Sequence, residues 1–307
     1  QEQVARALAN EMHLDAAASA FVLNDLVAKD SRLFNVEYAP LEAVQYLPIN
    51  SNFHPGIPVV KYQQFDGAGV AQLSSDYATA SPSNKITKAE FYMGVKTLRT
   101  SCVWSIDEIR AAAYEGTPLE QLEMDLARRS IQEGIDKLAL NGDARVNMFG
   151  LLNIPNVPTS ALAGGTEWDN PLATPDDIAL SIVQFLQSIE INTKGSRRAN
   201  ALILDKALLN NLEARRMSSA SDISIMEYVR RRFPGLQVFG SFLVGEKAVA
   251  YEKSPSVLEL VMPIPFEVFP DDVKATRIVR EMQARIGGVR AFFPKALAYK
   301  TNVLTAP

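Results

Sequence analysis

Val4 to Lys29 is dense in Ala and Leu and free of Gly and Pro, which predicts a helix. Its apolar Leu14, Ala17, Phe21 and Leu26 lie only loosely on one face. Asp30 to Pro58 changes character, with Pro40, Pro48, Pro55 and Pro58 among Phe34, Tyr38, Tyr46 and Phe53. Prolines at that density block long helices and central strands, yet the segment is too apolar for a free linker. The pattern predicts an extended arm lying on a surface, and the surface of another subunit is one candidate. Val59 to Phe65 reads as a strand. After Asp66-Gly67-Ala68-Gly69 and a Ser-rich polar stretch to Asn84, Ala89 to Val103 resumes a strand pattern with Phe91, Met93 and Val95 alternating. Two strands joined by a polar excursion of about twenty residues make a long hairpin, and such lengths are uncommon in compact domains unless functional.

The next pattern is helical. Thr117-Pro118-Leu119-Glu120 reads as a capping box with Pro at the first helical position. From there Leu119, Leu122, Leu126, Ile131, Ile135 and Leu138 mark an apolar stripe that closes at Asn141-Gly142. Asp125–Arg129 and Glu133–Lys137 stand at the i,i+4 spacing that supports a helix. At 1.5 Å per residue this spine would be about 35 Å long.

Gly150-Leu151-Leu152-Asn153, Pro155, Pro158 and Gly164-Gly165 then open a loop where a second domain plausibly begins. A second cap, Thr174-Pro175-Asp176-Asp177, leads a helix carrying Ile178, Ile182, Leu186 and Ile189. The order continues as strand Ala199 to Leu204, helices Lys206 to Arg216 and Ser221 to Arg232, then strands Leu236 to Phe239, Ala248 to Tyr251 and Val257 to Val261. That order lacks the regular alternation of a doubly wound fold. The tail reads as strands over Phe266 to Phe269, Val273 to Ile286 and Val289 to Tyr299. The middle one spreads Arg277, Arg280, Glu281 and Arg285 over both faces, which suggests that polar faces meet other chains.

Composition narrows the function. Of 307 residues 47% are hydrophobic and 21% charged, an ordinary globular balance that argues against disorder. Lys and Arg number 31 against 35 Asp and Glu, without the basic excess of a protein built to grip nucleic acid. One cysteine, Cys102, and two histidines, His13 and His54, exclude a disulfide scaffold and a Cys/His zinc site. No apolar run is long enough to span a bilayer, and Gln1 to Arg6 lacks the basic-then-apolar order of a signal peptide, so the expectation is a soluble intracellular protein. There is no phosphate loop, and Gly67-Ala68-Gly69 fails the dinucleotide pattern at its third glycine. Neither histidine neighbours a nucleophile elbow. Cys102 sits in a strand pattern as packing. Asp176-Asp177 completes a helix start, Asp271-Asp272 reads as a turn, and the arginine runs 197–198 and 230–232 read as solvated or inter-subunit faces. Catalysis has no support, and no cofactor is implied.

The order of parts is more telling than any single motif. A Pro-rich arm, a polar-tipped hairpin, a capped spine ending in Asn141-Gly142-Asp143, Phe149-Gly150-Leu151-Leu152-Asn153 entering a second domain, and a β-rich tail together resemble the major capsid proteins of tailed phages. The resemblance covers nearly the whole chain. It implies an α+β fold of the Hong Kong 97 type, also used by encapsulin nanocompartments. On that pattern residues 1–56 form the N-terminal arm and 57–98 an extended loop overlapping a neighbouring subunit. Residues 99–149 and 266–289 form the peripheral domain with its spine at 117–141, and 150–265 the axial domain, to which 290–307 is expected to return.

The implied function is self-assembly through hexamers and pentamers into an icosahedral shell around double-stranded DNA, as the wall of a virion assembled in the host cytoplasm. The implied partners are other copies of the chain, packaged DNA touched nonspecifically at the inner face, and portal, scaffold, protease or decoration proteins, with no membrane. Candidate inter-subunit contacts are Lys85, Lys88, Arg277, Arg280, Glu281 and Arg285. Some members join a loop lysine to a neighbour's asparagine as an isopeptide, for which Lys85, Lys88 and Asn302 are the residues here. Most members do without it, and lysines at polar tips are common. An encapsulin-like compartment shell and a soluble enzyme with an unrecognised site are the alternatives.

Overall fold

The computed structural model describes residues 43–68, 85–116, 118–218 and 221–304. The helix expected over Val4 to Lys29, His13, residues 30–42 of the Pro-rich stretch, the polar hairpin tip and Thr117 lie outside them.

A four-stranded sheet backed by the spine helix forms one layer pair. Its central strand, Arg277–Ile286, runs antiparallel to Lys96–Ser105 along its whole length. On its other side it pairs with Asp272–Lys274 and then Ile264–Val268. Because strand side chains alternate between faces, Leu98, Thr100, Cys102 and Trp104 share one face with Ile278, Arg280, Met282 and Ala284. That face packs on helix Leu119–Asn141 through Ala127, Ile131, Ile135 and Ala139. The opposite face carries Thr97, Arg99, Ser101 and Val103 beside Val279, Glu281, Gln283 and Arg285.

The spine starts at Leu119 and keeps its full run to Asn141. Its buried stripe differs from the expected one. Leu126 points away and is exposed, and the line that faces the sheet runs through Ala127, Ile131, Ile135 and Ala139. Small residues are what let the helix approach, since a side chain at Gly134 would meet Leu98 at 3.2 Å. Arg129 pairs with Glu133 at 3.0 Å on the outward side.

The second body is a five-stranded sheet. Its order runs Thr159–Ala161, Leu297–Thr301, Ala248–Tyr251, Ala201–Leu204, Gln237–Gly240. Only Ala248–Tyr251 is antiparallel to its neighbours. Helix Pro175–Asn192 buries Ile178, Ile182, Leu186 and Ile189 as its pattern requires, with Thr174 capping at Asp177 N, 3.2 Å. Helices Lys206–Ala214 and Ile225–Arg232 complete this second core around Trp168.

Two expected tail strands are each broken in two. Val273 to Ile286 turns at Ala275-Thr276, because Asp272–Lys274 folds back on Arg277–Val279. Val289 to Tyr299 splits at a 3-10 turn, Pro294–Ala296, where proline cannot donate to a ladder. The first half, Gly288–Ala291, joins Leu258–Val261 and the short strand Ile49–Asn50 in a three-stranded sheet.

Candidate assembly surfaces

Three places hold the features the sequence singled out: the end of the spine helix, the hairpin, and the outward face of the four-stranded sheet. A helix leaves its last four carbonyls without partners. Here Gly142 N–H donates to Leu138, Leu151 N–H to Ala139 at 2.8 Å, and Leu152 N–H to Leu140 at 2.9 Å. Asn153 completes the set, donating from Nδ2 to the Asn141 carbonyl at 2.7 Å while its Oδ1 accepts from Gly150 N–H at 2.6 Å. Gly-Leu-Leu-Asn is thus a helix cap assembled from beyond a short hairpin. Its glycine is required, since a side chain at Gly150 would collide with the Leu140 carbonyl at 2.4 Å. The C-terminal strand closes over this cap, because Tyr299 Oη donates to the Leu151 carbonyl at 2.6 Å and accepts from Ile154 N–H at 3.1 Å. Burial pushes the Tyr299 phenol up, so it keeps its proton to donate.

The hairpin strands Val59–Ala68 and Lys85–Gly94 are paired along ten residues. Among the described residues their buried side chains lie at the root. Val60, Met93, Val95 and Val261 form a small cluster there with Phe53 and Ile57. Two side chains clamp the root from outside it: Asn147, at φ 55°, donates to the Tyr92 carbonyl at 2.9 Å, and Arg285 donates to the Ile57 carbonyl at 3.0 Å. From Lys85 to Glu90 every side chain is exposed, and Ile86 is 75% exposed. Glu90 lies between Lys61 at 2.7 Å and Lys88 at 3.0 Å, whose ammonium groups hold its carboxyl down to about 2.

The candidate contacts separate accordingly. Lys85 is exposed at the start of its strand, while Lys88 is held by Glu90 of its own chain. Arg277 and Glu281 are exposed on the outward sheet face. Arg280 belongs to the inner face. It forks onto Asp271 at 2.5 and 2.7 Å, lies 5.2 Å from the Trp104 ring, and lowers the Asp271 carboxyl pKa. Asp271 is therefore the anchor of an ion pair. Arg285 lines an open groove of about 620 Å³ with Arg99, Glu267, Gln283, Phe269 and Gly56, and its Nε is buried with no partner among the described residues. The set does not converge on one site.

The other candidates settle into structural roles. His54 Nδ1 accepts from Gly56 N–H at 3.0 Å in a turn. Cys102 is buried, its thiol pKa raised first by desolvation. Arg230 pairs with Glu213 at 2.7 Å and Arg231 with Glu227 at 2.6 Å. Among the described residues no group of His, Cys, Asp or Glu is placed to hold a metal, and no helix is long and apolar enough to cross a membrane. Sequence reasoning missed a cluster in which buried Glu259 pairs with Arg290 and accepts from Asn50 at 2.8 Å, with Arg290 between Phe53 and Phe292 at 5.0 Å each. Asn50 and Glu259 are too far apart in sequence for any local pattern to join them.

A family model described as major capsid protein matches residues 69–234, more than half of the chain. No curated protein matches the sequence. Among solved structures, the capsid of Myoviridae phage XM1 has the same fold at a TM-score of 0.78, with 18% identity over 91% of this chain and 97% of that one. The capsid of a native GTA particle aligns at 0.66, with 11% identity over 95% of this chain and 100% of that one. A virus-like particle from Pyrococcus furiosus aligns less closely, at 0.55 with 12% identity over 84% of this chain and 91% of that one. The chain belongs to the major capsid protein family and has the Hong Kong 97-type fold of the tailed-phage capsid proteins it resembles.

Proposed function

We propose that this structural capsid protein assembles through hexamers and pentamers of itself into an icosahedral shell around double-stranded DNA, in the host cytoplasm. The observation that carries the reading is the hairpin. A two-stranded ribbon is marginal by itself in water, and this one is paired along ten residues with every side chain from Lys85 to Glu90 uncovered. A neighbouring copy would supply the missing cover. In this reading residues 57–98 are the extended loop, 1–56 the arm, 99–149 with 266–289 the peripheral domain, and 150–265 the axial domain, to which 290–307 returns. Lys85, Arg277 and Glu281 are the exposed charges offered to neighbours. DNA is held by confinement, which agrees with a formal net charge of −4 and with Arg230 and Arg231 already engaged by carboxylates.

Electron microscopy of the purified chain tests this. Shells, rings or hexamers are expected, and their absence across salt and protein concentration would refute it. A compartment shell remains the second reading because of the likeness to the Pyrococcus furiosus virus-like particle. DNA inside shells purified from infected cells would decide for a capsid, and a peptide or protein cargo for a compartment.

A further inference from the structure

The two edge strands of the five-stranded sheet, Thr159–Ala161 and Gln237–Gly240, run in the same direction. The loops that leave them, residues 162–174 and 241–247, therefore start at one end of the sheet on opposite edges. Val303 marks that end, accepting from Trp168 N–H at 3.0 Å and donating to the Glu246 carbonyl at 3.2 Å.

Each loop leaves apolar surface uncovered. Between the first loop and helix Pro175–Asn192 lies a cavity of about 370 Å³, lined by Leu172, Asp177, Leu180, Ser181 and Gln184 among others. Leu172 is 90% exposed and Leu180 54%. The cavity has a fixed frame, since the Arg215 guanidinium holds the carbonyls of Asn170, Pro171 and Ala173. The second loop presents Phe242, 63% exposed, with Leu243 beside it, and the buried Val244 pins that loop to the core. The charges are of opposite sign. Lys206 Nζ lies 5.7 Å from the Phe242 ring and Lys247 is exposed, outweighing the exposed Glu246, while Asp177 lines the cavity with exposed Asp176 next to it in sequence. One edge is an apolar knob with a net positive rim, and the other a mixed cavity with two exposed leucines and a net negative rim.

Phe242, Leu172 and Leu180 are all exposed in the single chain, so the knob does not fill the cavity of its own copy. A second copy turned about an axis brings knob to cavity, and every copy in a ring then uses one of each. Such head-to-tail contacts close into rings when the rotation allows. We propose that Phe242 and Leu243 of one copy insert into the Leu172–Leu180 cavity of the next, as the ring contact within each hexamer or pentamer. The proposal rests on the assembly reading above and names the surface that reading leaves open.

The test uses the full-length chain. Phe242→Asp and Leu180→Asp place a charge on residues that are exposed in the monomer, so circular dichroism and melting temperature should match the unsubstituted protein while rings and shells are lost. Leu172→Cys combined with Phe242→Cys, treated in assembled shells with a short bismaleimide, should give a denaturing-gel ladder up to pentamer and hexamer. Either cysteine alone should give none, because the native Cys102 is buried. Normal assembly of both Asp variants, or shells of the double variant without a ladder, would overturn the proposal while leaving the assembly reading intact. If the unsubstituted chain forms neither rings nor shells, the assembly reading fails and this contact fails with it.

Discussion

At the end of the spine helix the last four carbonyls are all bonded within the chain, three by backbone N–H groups and the fourth by Asn153. In the hairpin, by contrast, Lys85 to Glu90 present every side chain to solvent, and the charged groups that do meet, Lys61, Lys88 and Glu90, are all near the surface. The comparison separates what one chain completes alone from what it leaves for a neighbour. Polar groups are satisfied at the end of the spine, and side chains with Ile86 among them are left open along Lys85 to Glu90.

If that division is right, substitutions in the completed region should cost stability and those in the projecting one should not. The largest loss is expected for Glu259→Ala, about 3–5 kcal/mol, because it removes the buried carboxylate and strands the mostly covered Arg290 guanidinium and the Asn50 amide. Ile131→Ala should follow at about 2–5 kcal/mol as a cavity under the sheet. Asn153→Ala removes two hydrogen bonds at the helix end and should cost about 1–2 kcal/mol. Leu126→Ala, on the exposed side of the same helix, should change stability by less than about 0.5 kcal/mol. Urea denaturation of the assembly-incompetent monomer ranks all four, and a loss for Leu126→Ala equal to that for Ile131→Ala would show that the helix faces are wrongly assigned.

The hairpin's charge cluster can be tested by pH. The Glu90 carboxyl lies at about 2, below its ordinary 4.5, so its pairing with the lysines is complete above 4.5 and is lost as pH falls through 2. Carboxyl NMR on the monomer is expected to show a midpoint near 2. A midpoint at the ordinary value would mean that Lys88 is not held by its own chain and is free for a neighbour.

The sequence made the order of parts legible because each part carries a local signal. The Thr174 cap, the buried positions of Pro175–Asn192 and the strand Ala248–Tyr251 all stand where the pattern puts them. In the spine, counting large apolar residues favours Leu126, whereas a close helix–sheet approach selects Ala127, Gly134 and Ala139. The long tail strand was read through its turn because Val273-Lys274-Ala275-Thr276 contains neither Gly nor Pro. Among the candidate contacts, strand parity placed charges on both faces, as Arg280 and Glu281 show, but it did not reveal that Asp271 already occupies Arg280. The physical role of Gly-Leu-Leu-Asn was hidden for the same reason, since its key bond reaches back twelve residues to Asn141.

The smallest expected change in stability belongs to the most direct test of the account. Deleting Gly67 to Asn84 leaves the buried root of the hairpin, Val60, Met93 and Val95, in place, so the monomer should keep its circular dichroism spectrum and melting temperature while electron microscopy finds no shells. Global unfolding of the deletion, or shells indistinguishable from those of the intact protein, would contradict the claim that this ribbon is completed by a neighbouring copy.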